Sequence, residues 1–460
     1  MSLTHRLDTA GPQEAPRELP RVLGFMDVMG ILIGTVIGSG IFIVPAAIAG
    51  YVRSPVLLMT VWIVGGVLTF FGALAFSELG AAFPQAGGMY VYLREAFGKP
   101  LAFLFGWTLF LVIDSGAIAT LSMAFAEKYL PQFTGPLSTF GIKSVAIVLI
   151  ATLVAINYAG TRWGARVQNL LMFIKFAAIL AVSIGILALA HGNPARFVEP
   201  PSPPMTAALL GGFGLALQRA LWAYKGWEAV SFSAGEIKSP ERNLPMGLFA
   251  GTLVIIALYL AANLAYLYVL PFDRLVGAQR VASEAMSAAG FELGATVLGL
   301  VILCSIAGAA NGNILTAPRV FYAMARDGVF FKRFGAIHPR YLTPHISILA
   351  TGFWAMVLSV SGTFSTLADF VVFGQWIFFG LTVAAVIVLR RTRPDLPRPY
   401  RTWGYPVTPI LFVLAALFIS VNALVSQFAN AMYGLGIILL GVPAYLFWSR
   451  RAGRGLATGD

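Results

Sequence analysis

Twelve apolar segments follow one another along the chain, each near or above the roughly 20 residues that a helix needs to cross a bilayer. They cover approximately residues 22–50, 55–83, 100–128, 143–160, 166–190, 207–233, 245–270, 292–318, 345–363, 366–389, 406–427 and 430–449. Only 11% of the 460 residues are charged and the mean hydropathy is +0.82, whereas soluble domains carry about 25% charged residues. The sequence therefore predicts an all-α polytopic membrane protein, with a lipid bilayer as its surroundings.

Basic residues lie mostly on one side of the predicted spans. The chain carries 31 Lys and Arg against 19 Asp and Glu, a formal net charge of +12. With the N-terminus inside, 22 of the 31 fall in inside segments and 6 in outside loops, while Lys175, Arg219 and Lys225 fall within spans. This asymmetry follows the positive-inside rule and predicts that both termini are cytoplasmic. The basic balance thus indicates topology and predicts no nucleic-acid partner.

Glycines interrupt the first predicted span in the stretch IGTVIGSGIF, residues 33–42. Gly34, Gly38 and Gly40 each cost roughly 1 kcal/mol relative to Ala in a helix interior, so we expect the helix to unwind there. Unwound backbone inside a bilayer must find hydrogen-bond partners in protein, in water or in a ligand. Close helix packing is the other explanation for glycines at this spacing.

The sixth predicted span contains a second interruption in LWAYKGWEAVSFSAGE, residues 221–236, where Lys225, Gly226 and Glu228 break the apolar run. Interrupted spans at corresponding positions of two halves are typical of transporters built from inverted repeats, with the substrate between the broken helices. N–H groups at a half-helix N-terminus attract a carboxylate, and freed carbonyls suit an ammonium group. The two interruptions therefore predict a site for a zwitterion such as an α-amino acid.

This interpretation divides the chain into two five-span repeats with additions. The predicted units are a cytoplasmic N-terminal tail (1–21), a first repeat of spans 1–5 (22–190), an extracellular connector (191–206), a second repeat of spans 6–10 (207–389), a cytoplasmic link (390–405), spans 11 and 12 (406–449) and a cytoplasmic C-terminal tail (450–460). Spans 11 and 12 would lie outside the repeat core.

Four motifs occur in a fixed order along the chain. They are GTVIGSGIF (34–42), AFSELGAAFPQAGGMYVYLREAFG (75–98), AYKGWEAVSFSAGEIKSPERNLP (223–245) and NGNILTAPRVFYAMARDG (311–328). The sequence resembles the amino acid–polyamine–organocation (APC) superfamily, and it is most similar to the L-type amino acid transporter (LAT) branch and its bacterial relatives. The resemblance implies the LeuT fold, with twelve transmembrane helices as a 5+5 inverted repeat plus two, and with helices 1 and 6 broken at mid-membrane.

The resemblance also implies a substrate site made largely of backbone. The N–H groups that would receive the carboxylate are those of Ser39, Gly40 and Ile41, with the Ser39 hydroxyl as a further donor. The carbonyls that would accept from the amino group are that of Val36 or Ile37 and those of Trp222, Ala223 and Lys225. Trp222 holds the aromatic position that closes over substrate from outside, although an ordinary packed Trp also fits. Asn311 matches a span-8 asparagine that would face the site, or it would only join helices.

Two charged residues in predicted spans bear on coupling and gating. Lys175 matches the span-5 lysine of Na⁺-independent APC members, whose ammonium takes the place of a sodium ion. It would act as a fixed strut to span 1 or, because a buried Lys can have a lowered pKa, as a proton carrier. Glu228 matches a glutamate linked to protons and gating in arginine–agmatine exchangers, or it would neutralise Lys225 or Arg219. Sodium coupling is disfavoured in either case.

Four further charged residues extend this interpretation. Lys225 departs from the LAT branch, so an acidic or polar substrate side chain is expected if it faces the pocket and a neutral one if it faces solvent. Asp114 is a candidate counter-charge for Arg219. Glu78 and Arg94 belong to the cytoplasmic-side motif and would serve an inner gate or the fold.

The cysteine and histidine positions limit partners and chemistry. The loop KYLPQFTGPLSTFGIK (128–143) contains no Cys, so the sequence predicts a stand-alone transporter of the bacterial inner membrane without a disulfide-linked heavy subunit. Cys304, the only cysteine, lies in a predicted span. The four histidines, which lie in tails or loops, are His5, His191, His338 and His345. No metal-ligand set falls at helical spacing, so neither a cofactor nor an enzymatic activity is expected.

The sequence thus predicts a sodium-independent secondary amino acid transporter that works by alternating access. Exchange of amino acids is favoured by the resemblance to the LAT branch. A proton-coupled symporter is the alternative favoured by Lys175 and Glu228, and a membrane sensor that binds without transporting is a further one. A channel would need a continuous polar stripe or a filter loop, which the sequence does not contain.

Overall fold

The computed structural model describes residues 18–204, 206–361, 364–426 and 428–458. The predictions for residues 1–17 of the N-terminal tail, for Met205, for 362–363, for Gln427 and for 459–460 lie outside the described residues. Within the described ranges the chain is helical apart from loops and one isolated backbone bridge between Leu23 and Ile237. This confirms the all-α class.

The first predicted repeat folds into a series of helices of very different length. These are Phe25–Val36 (α1), Gly40–Val52 (α2), Pro55–Ala82 (α3), Met89–Phe97 (α4), Lys99–Thr108 (α5), Asp114–Ala124 (α6), Pro131–Thr134 (α7), Thr139–Tyr158 (α8) and Thr161–Leu189 (α9). Two π-helical turns, Leu109–Ile113 and Phe125–Tyr129, connect α5 to α6 and α6 towards α7. Side-chain caps fix some of the starts: the Ser54 hydroxyl accepts from the N–H of Leu57 at the beginning of α3.

The remainder of the chain repeats the alternation of long and short helices. These are Ala207–Ala223 (α10), Ala229–Phe232 (α11), Pro240–Val269 (α12), Phe272–Gly277 (α13), Val281–Ala288 (α14), Glu292–Thr316 (α15), Pro318–Arg326 (α16), His345–Ser361 (α17), Phe364–Thr392 (α18), Val407–Ser426 (α19) and Phe428–Thr458 (α20). Short 3₁₀ turns occur at Pro194–Phe197, Ala234–Glu236 and Lys332–Gly335.

Many of these helices are long and apolar enough to cross a membrane. Among the described residues nine helical runs pass this test, or ten when α1 and α2, which meet at a bend of 41°, are taken as one span. Two shorter apolar helices, α10 and α17, occupy the other predicted segments. The protein is therefore a multi-pass membrane protein, and the count of twelve spans stays a prediction.

The two interrupted segments lie at the centre of the bundle. Helix α1 packs against α9, α12 and α15, and α2 packs against α10. Exposed apolar side chains on the outer helices include Phe173, Phe353, Leu417 and Leu440. A bilayer favours such an outer surface, because lipid tails are as apolar as these side chains. The unwound backbone thus lies at the centre of the bundle, and the exposed apolar side chains lie on its outer surface.

Candidate substrate-binding site

The first interruption separates α1 from α2 at residues 37–39. Ser39 is the N-cap residue of α2, and its side chain is 1% exposed. Within the described residues its Oγ has no hydrogen-bond partner, and neither do the N–H groups of Ser39, Gly40 and Ile41. These donors lie at the positive end of the α2 dipole, so together they form a site for a negatively charged group.

Lys175 fills the carbonyl side of this first interruption. Its Nζ donates to the carbonyls of Gly34, of Ile37 at 2.6 Å and of Ser305 at 3.3 Å. The Ser305 hydroxyl lies 3.0 Å from the Ile37 carbonyl and 3.2 Å from the Gly38 carbonyl, and it donates to one of them at a time. Lys175 is fully buried, so its amino group bridges α9, α15 and the end of α1, and its role as a strut or as a proton carrier stays a prediction.

The second interruption lies between α10 and α11, at residues 224–228. Gly226 has φ +118°, in the region that glycine adopts at little steric cost. The buried Glu228 carboxylate accepts from the Gly226 N–H at 3.0 Å and from Gln375 Nε2 at 2.6 Å. The ion pair expected between Glu228 and Lys225 does not form, because Lys225 Nζ lies 3.2 Å from Asp114 Oδ1. Asp114 therefore faces Lys225, where the sequence had suggested Arg219.

The two interruptions touch each other directly. A Cβ placed on Gly40 would lie 2.7 Å from the Cβ of Ala223, and one placed on Gly226 would lie 2.8 Å from Cγ2 of Thr35. Real Cβ atoms do not approach that closely, so each glycine allows one break to pack against the other. Of the three glycines of the first span, only Gly38 lies in the unwound segment, whereas Gly34 lies inside α1 and Gly40 begins α2, so the expected unwinding was wrong for these two and close packing explains them.

A cavity of about 40 Å³ lies between the two interruptions. Six of the predicted substrate residues line it, and these are Val36, Ser39, Gly40, Trp222, Ala223 and Lys225. Thr35, Thr120 and Asn313 also line it, although the sequence analysis had not selected them. The volume has room for a few water molecules.

The hydroxyl of one tyrosine, Tyr259, lies between a carbonyl group at the end of α1 and a carbonyl group at the end of α10. The buried Tyr259 hydroxyl lies 3.2 Å from the Val36 carbonyl and 3.1 Å from the Ala223 carbonyl. A phenol carries one proton and so donates to one acceptor at a time, while a carbonyl oxygen has two lone pairs. Both carbonyls therefore keep capacity to accept from a further donor. Tyr259 was missed because nothing in its local sequence separates it from other aromatic residues of α12.

Three predicted substrate residues do not line the cavity. The carbonyl of Ile37 faces Lys175 and Ser305, and the Ile41 side chain is fully buried elsewhere. Asn311 accepts from Asn157 Nδ2 at 2.8 Å and donates to Gln168 Oε1 at 2.9 Å. The structure thus uses Asn311 to join α8, α9 and α15, which was the second of its two interpretations, and its role towards substrate stays a prediction.

Charged residues close the side of the bundle that is predicted to be cytoplasmic. Arg390 makes two hydrogen bonds to the Glu78 carboxylate, at 2.9 and 2.6 Å. Arg94 Nη1 lies 2.7 Å from Asp327 Oδ2, and Arg393 Nη1 lies 2.6 Å from Glu95 Oε2. Burial raises the pKa of Glu95, but hydrogen bonds from Arg393 and Arg94 outweigh burial, and the pKa lies below its ordinary value. The network joins α3, α4 and α18, and whether Glu78 and Arg94 serve an inner gate or the fold stays a prediction.

The chain matches a protein family and several known proteins over most of its length. The family model described as amino acid permease matches residues 23–442. The chain is 31% identical to b(0,+)-type amino acid transporter 1 of Mus musculus, covering 95% of this chain and 91% of that protein. It is 31% identical to the cystine/glutamate transporter of Homo sapiens, with coverages of 97% and 90%. It is 30% identical to large neutral amino acids transporter small subunit 2 of Mus musculus, with coverages of 94% and 82%.

Proposed function

Since this chain belongs to the amino acid permease family, as its four motifs predicted, we propose that it is a sodium-independent amino acid exchanger working by alternating access. The relatives named above are amino acid transporters, which supports amino acid transport as the activity. The 5+5 repeat over residues 22–190 and 207–389 is part of this proposal. It would relate the two interruptions by symmetry and set the substrate between them.

The observation that carries the proposal is the set of unused donors at the first interruption. The Ser39 hydroxyl and the N–H groups of Ser39, Gly40 and Ile41 have no partner within the described residues. Buried polar groups of this kind are rare in native structures and call for a ligand, a water or an ion. A carboxylate satisfies several such donors at once and gains from the positive end of α2. We therefore assign the substrate carboxylate to this position.

The opposite wall of the cavity suits the amino group of the same substrate. Val36 at the end of α1 and Ala223 at the end of α10 line the cavity, and each carbonyl retains a lone pair beside Tyr259, so one acceptor comes from each interrupted segment. Trp222 also lines the cavity and supplies a large apolar surface that can exclude water on closure. Backbone thus recognises the parts that all α-amino acids share, which supports the substrate class.

The position of Lys175 supports sodium independence. Its ammonium contacts three backbone carbonyls of the first interruption and of α15, and carbonyl oxygens are the ligands that a hard cation would use. A fixed ammonium there competes with sodium for the same oxygens. In the exchanger, Lys175 is a permanent strut that holds the interruption open towards the cavity.

The surroundings of the protein form a further part of the proposal. The charge asymmetry supports both termini in the cytoplasm, and we assign the chain to a bacterial inner membrane. The loop at residues 128–143 contains no Cys, which supports a transporter without a disulfide-linked heavy subunit. A non-covalent partner is compatible with this arrangement.

Proton-coupled symport is the second candidate function. It is favoured by Glu228, a carboxylate that is 2% exposed and lies at the second interruption. Carboxylates inside membranes commonly serve proton relays. The exchanger remains the first proposal because Glu228 already has a structural role, accepting from Gly226 and Gln375.

Transport by purified protein in liposomes tests both candidates. Uptake of a panel of radiolabelled amino acids would be measured without sodium, into empty vesicles, into vesicles preloaded with the same amino acid, and under an inward pH gradient. Uptake into preloaded vesicles alone supports exchange. Uptake into empty vesicles driven by the pH gradient replaces exchange by symport, and uptake that appears only when sodium is added in a parallel series contradicts both.

A further inference from the structure

We propose that the preferred substrate is a small amino acid whose side chain is uncharged and carries a hydroxyl or carboxamide group. The inference rests on the proposed function and names the substrate class of the same cavity. Its basis is a set of polar groups on the cavity wall that the backbone poles of the substrate leave unused. These groups are Thr120 and Lys225, and Lys225 is paired with Asp114 next to the cavity lining.

Thr120 provides the first unused group. It lies on α6, lines the cavity and is 1% exposed. Its Oγ1 has no partner among the described residues, unlike the many Thr hydroxyls of this protein that donate to the carbonyl four residues earlier, such as Thr35 and Thr108. A buried hydroxyl without a partner is costly, and a hydrogen-bonding substrate side chain would remove that cost. An aliphatic side chain would leave it unpaired.

The ion pair provides a donor and an acceptor side by side. Lys225 lines the cavity, and its ammonium uses one of its three donors on Asp114 Oδ1 at 3.2 Å. The second oxygen, Asp114 Oδ2, is buried and has no partner among the described residues. A hydroxyl or a carboxamide can accept from the ammonium and can also donate to a carboxylate or to Thr120. An aliphatic side chain can do neither.

Charge at the site disfavours ionised side chains. Lys225 and Asp114 form an ion pair, so their formal charges cancel, and Lys175 and Glu228 are already engaged by protein hydrogen-bond partners. An additional carboxylate or ammonium on the substrate would therefore enter a buried site without a free counter-charge, which is expensive away from water. A neutral polar side chain avoids this cost.

The wall of the cavity also favours a short side chain. On either side of the cavity the chain segments approach each other closely at Gly40 and Gly226. A long side chain would have to separate them, while a side chain the size of that of serine, threonine or asparagine needs less room. Size and polarity thus indicate the same class.

Matched substrate pairs in preloaded liposomes test the inference on the unaltered protein. Threonine and valine have the same shape and differ in the hydroxyl, while asparagine and aspartate have the same shape and differ in charge. We expect threonine to exchange at least about tenfold faster than valine, and asparagine at least about tenfold faster than aspartate, as leaving a buried polar group unpaired implies. The inference would be overturned if valine exchanged as fast as threonine, or if leucine or aspartate exchanged as fast as asparagine. If no amino acid exchanges at all, it is the proposed function that fails.

The variant Thr120→Val tests whether the Thr120 hydroxyl causes the preference for threonine over valine. We expect it to reduce the threonine-to-valine ratio by about tenfold while valine exchange persists, because only the side-chain contact is removed. Thr252→Val is the matched control, since Thr252 is a buried threonine of α12 whose Oγ1 also lacks a partner among the described residues and which does not line the cavity. An unchanged ratio in Thr120→Val, with valine exchange intact, would remove Thr120 from the proposal. If the variant does not fold, the substrate pairs decide.

Discussion

The two interruptions look alike in sequence but present opposite groups to the cavity. At the first, the carbonyls of Ile37 and Gly38 are occupied by Lys175 and Ser305, and the N–H groups that follow are unused within the described residues. At the second, the Gly226 N–H is occupied by Glu228. The N–H groups of Lys225 and Ala229 turn back to carbonyls of their own segment, each at 3.2 Å.

This difference shows how one site can have two poles. At the first interruption the ammonium group of Lys175, on α9, donates to the carbonyls. The backbone N–H groups of that interruption therefore remain available for an anion. The second uses its own carboxylate to satisfy a donor, so its remaining capacity lies in the carbonyls of α10. In the proposed site, the substrate carboxylate therefore binds at the first interruption, where donors are unused, and the amino group binds where carbonyls can still accept. The following predictions test that comparison.

Replacing Lys175 should have the largest effect on exchange. In Lys175→Met the carbonyls of Gly34, Ile37 and Ser305 lose their ammonium donor. Hydrogen bonds to a charged group are worth about 1.5–3 kcal/mol each, and about 1.4 kcal/mol corresponds to a tenfold change. We expect exchange in liposomes to fall about a hundredfold or more and the melting temperature of the purified protein to decrease.

Lys143→Met is the control for this variant, because Lys143 lies in the first turns of α8, away from both interruptions. It should exchange at a rate close to that of the unaltered protein. Normal exchange by Lys175→Met would show that the carbonyls of the first interruption do not need the ammonium group. The explanation given for the difference between the two interruptions would then be wrong.

Separating the interruptions should have the next largest effect. Gly226→Ala introduces a Cβ 2.8 Å from Thr35 at φ +118°, and an unfavourable backbone of this kind costs about 1–3 kcal/mol. We expect exchange to fall by about 10-fold or more. Gly211→Ala in α10, where a Cβ meets nothing within 4 Å, should leave exchange unchanged, and an equal loss in both variants would contradict the argument from contact.

The sequence was sufficient for the all-α, multi-pass class because the relevant signals are local and repeated, while the count of twelve spans and the 5+5 repeat stay predictions. Apolar length predicts each membrane helix, and the glycines of residues 33–42 together with Lys225 and Gly226 predict where two helices break. The chain's membership of the amino acid permease family confirms the resemblance that the motifs carried. Element ends such as those of α7 or α11 were beyond reach, because short helices depend on tertiary contacts more than on propensity.

The site could be predicted only where backbone or charge defined it. Ser39, Gly40 and Lys225 line the cavity as expected, since their own sequence marks the interruptions. Asn311 and Asn313 are two residues apart on one helix, so they face different directions, and one sequence does not say which direction is inward. The partner of Lys225 is Asp114, 111 residues away, and no spacing rule connects two spans that far apart in the chain.

The carboxylate of the second interruption should matter for geometry more than for charge. Glu228→Ala leaves the Gly226 N–H and the Gln375 amide without their acceptor, at a cost of about 1–3 kcal/mol, so we expect exchange to fall by about tenfold. Glu228→Gln retains an acceptor and should stay within about threefold, with an unchanged pH profile. Loss of pH-driven uptake in Glu228→Gln would instead support the proton-coupled alternative.

The smallest effect should come from a single hydroxyl at the first interruption. Ser39→Ala removes a buried Oγ that has no partner within the described residues, while the backbone N–H groups of Ser39, Gly40 and Ile41 remain. One hydrogen bond of about 1 kcal/mol predicts a KM about fivefold higher with little change in maximal rate. Ser231→Ala is the counterpart at the second interruption, where Oγ donates to the Glu228 carbonyl at 2.6 Å. It should lower stability without raising KM, since that hydroxyl already has a protein partner; equal KM changes in both variants would mean that the interruptions contribute alike to substrate binding.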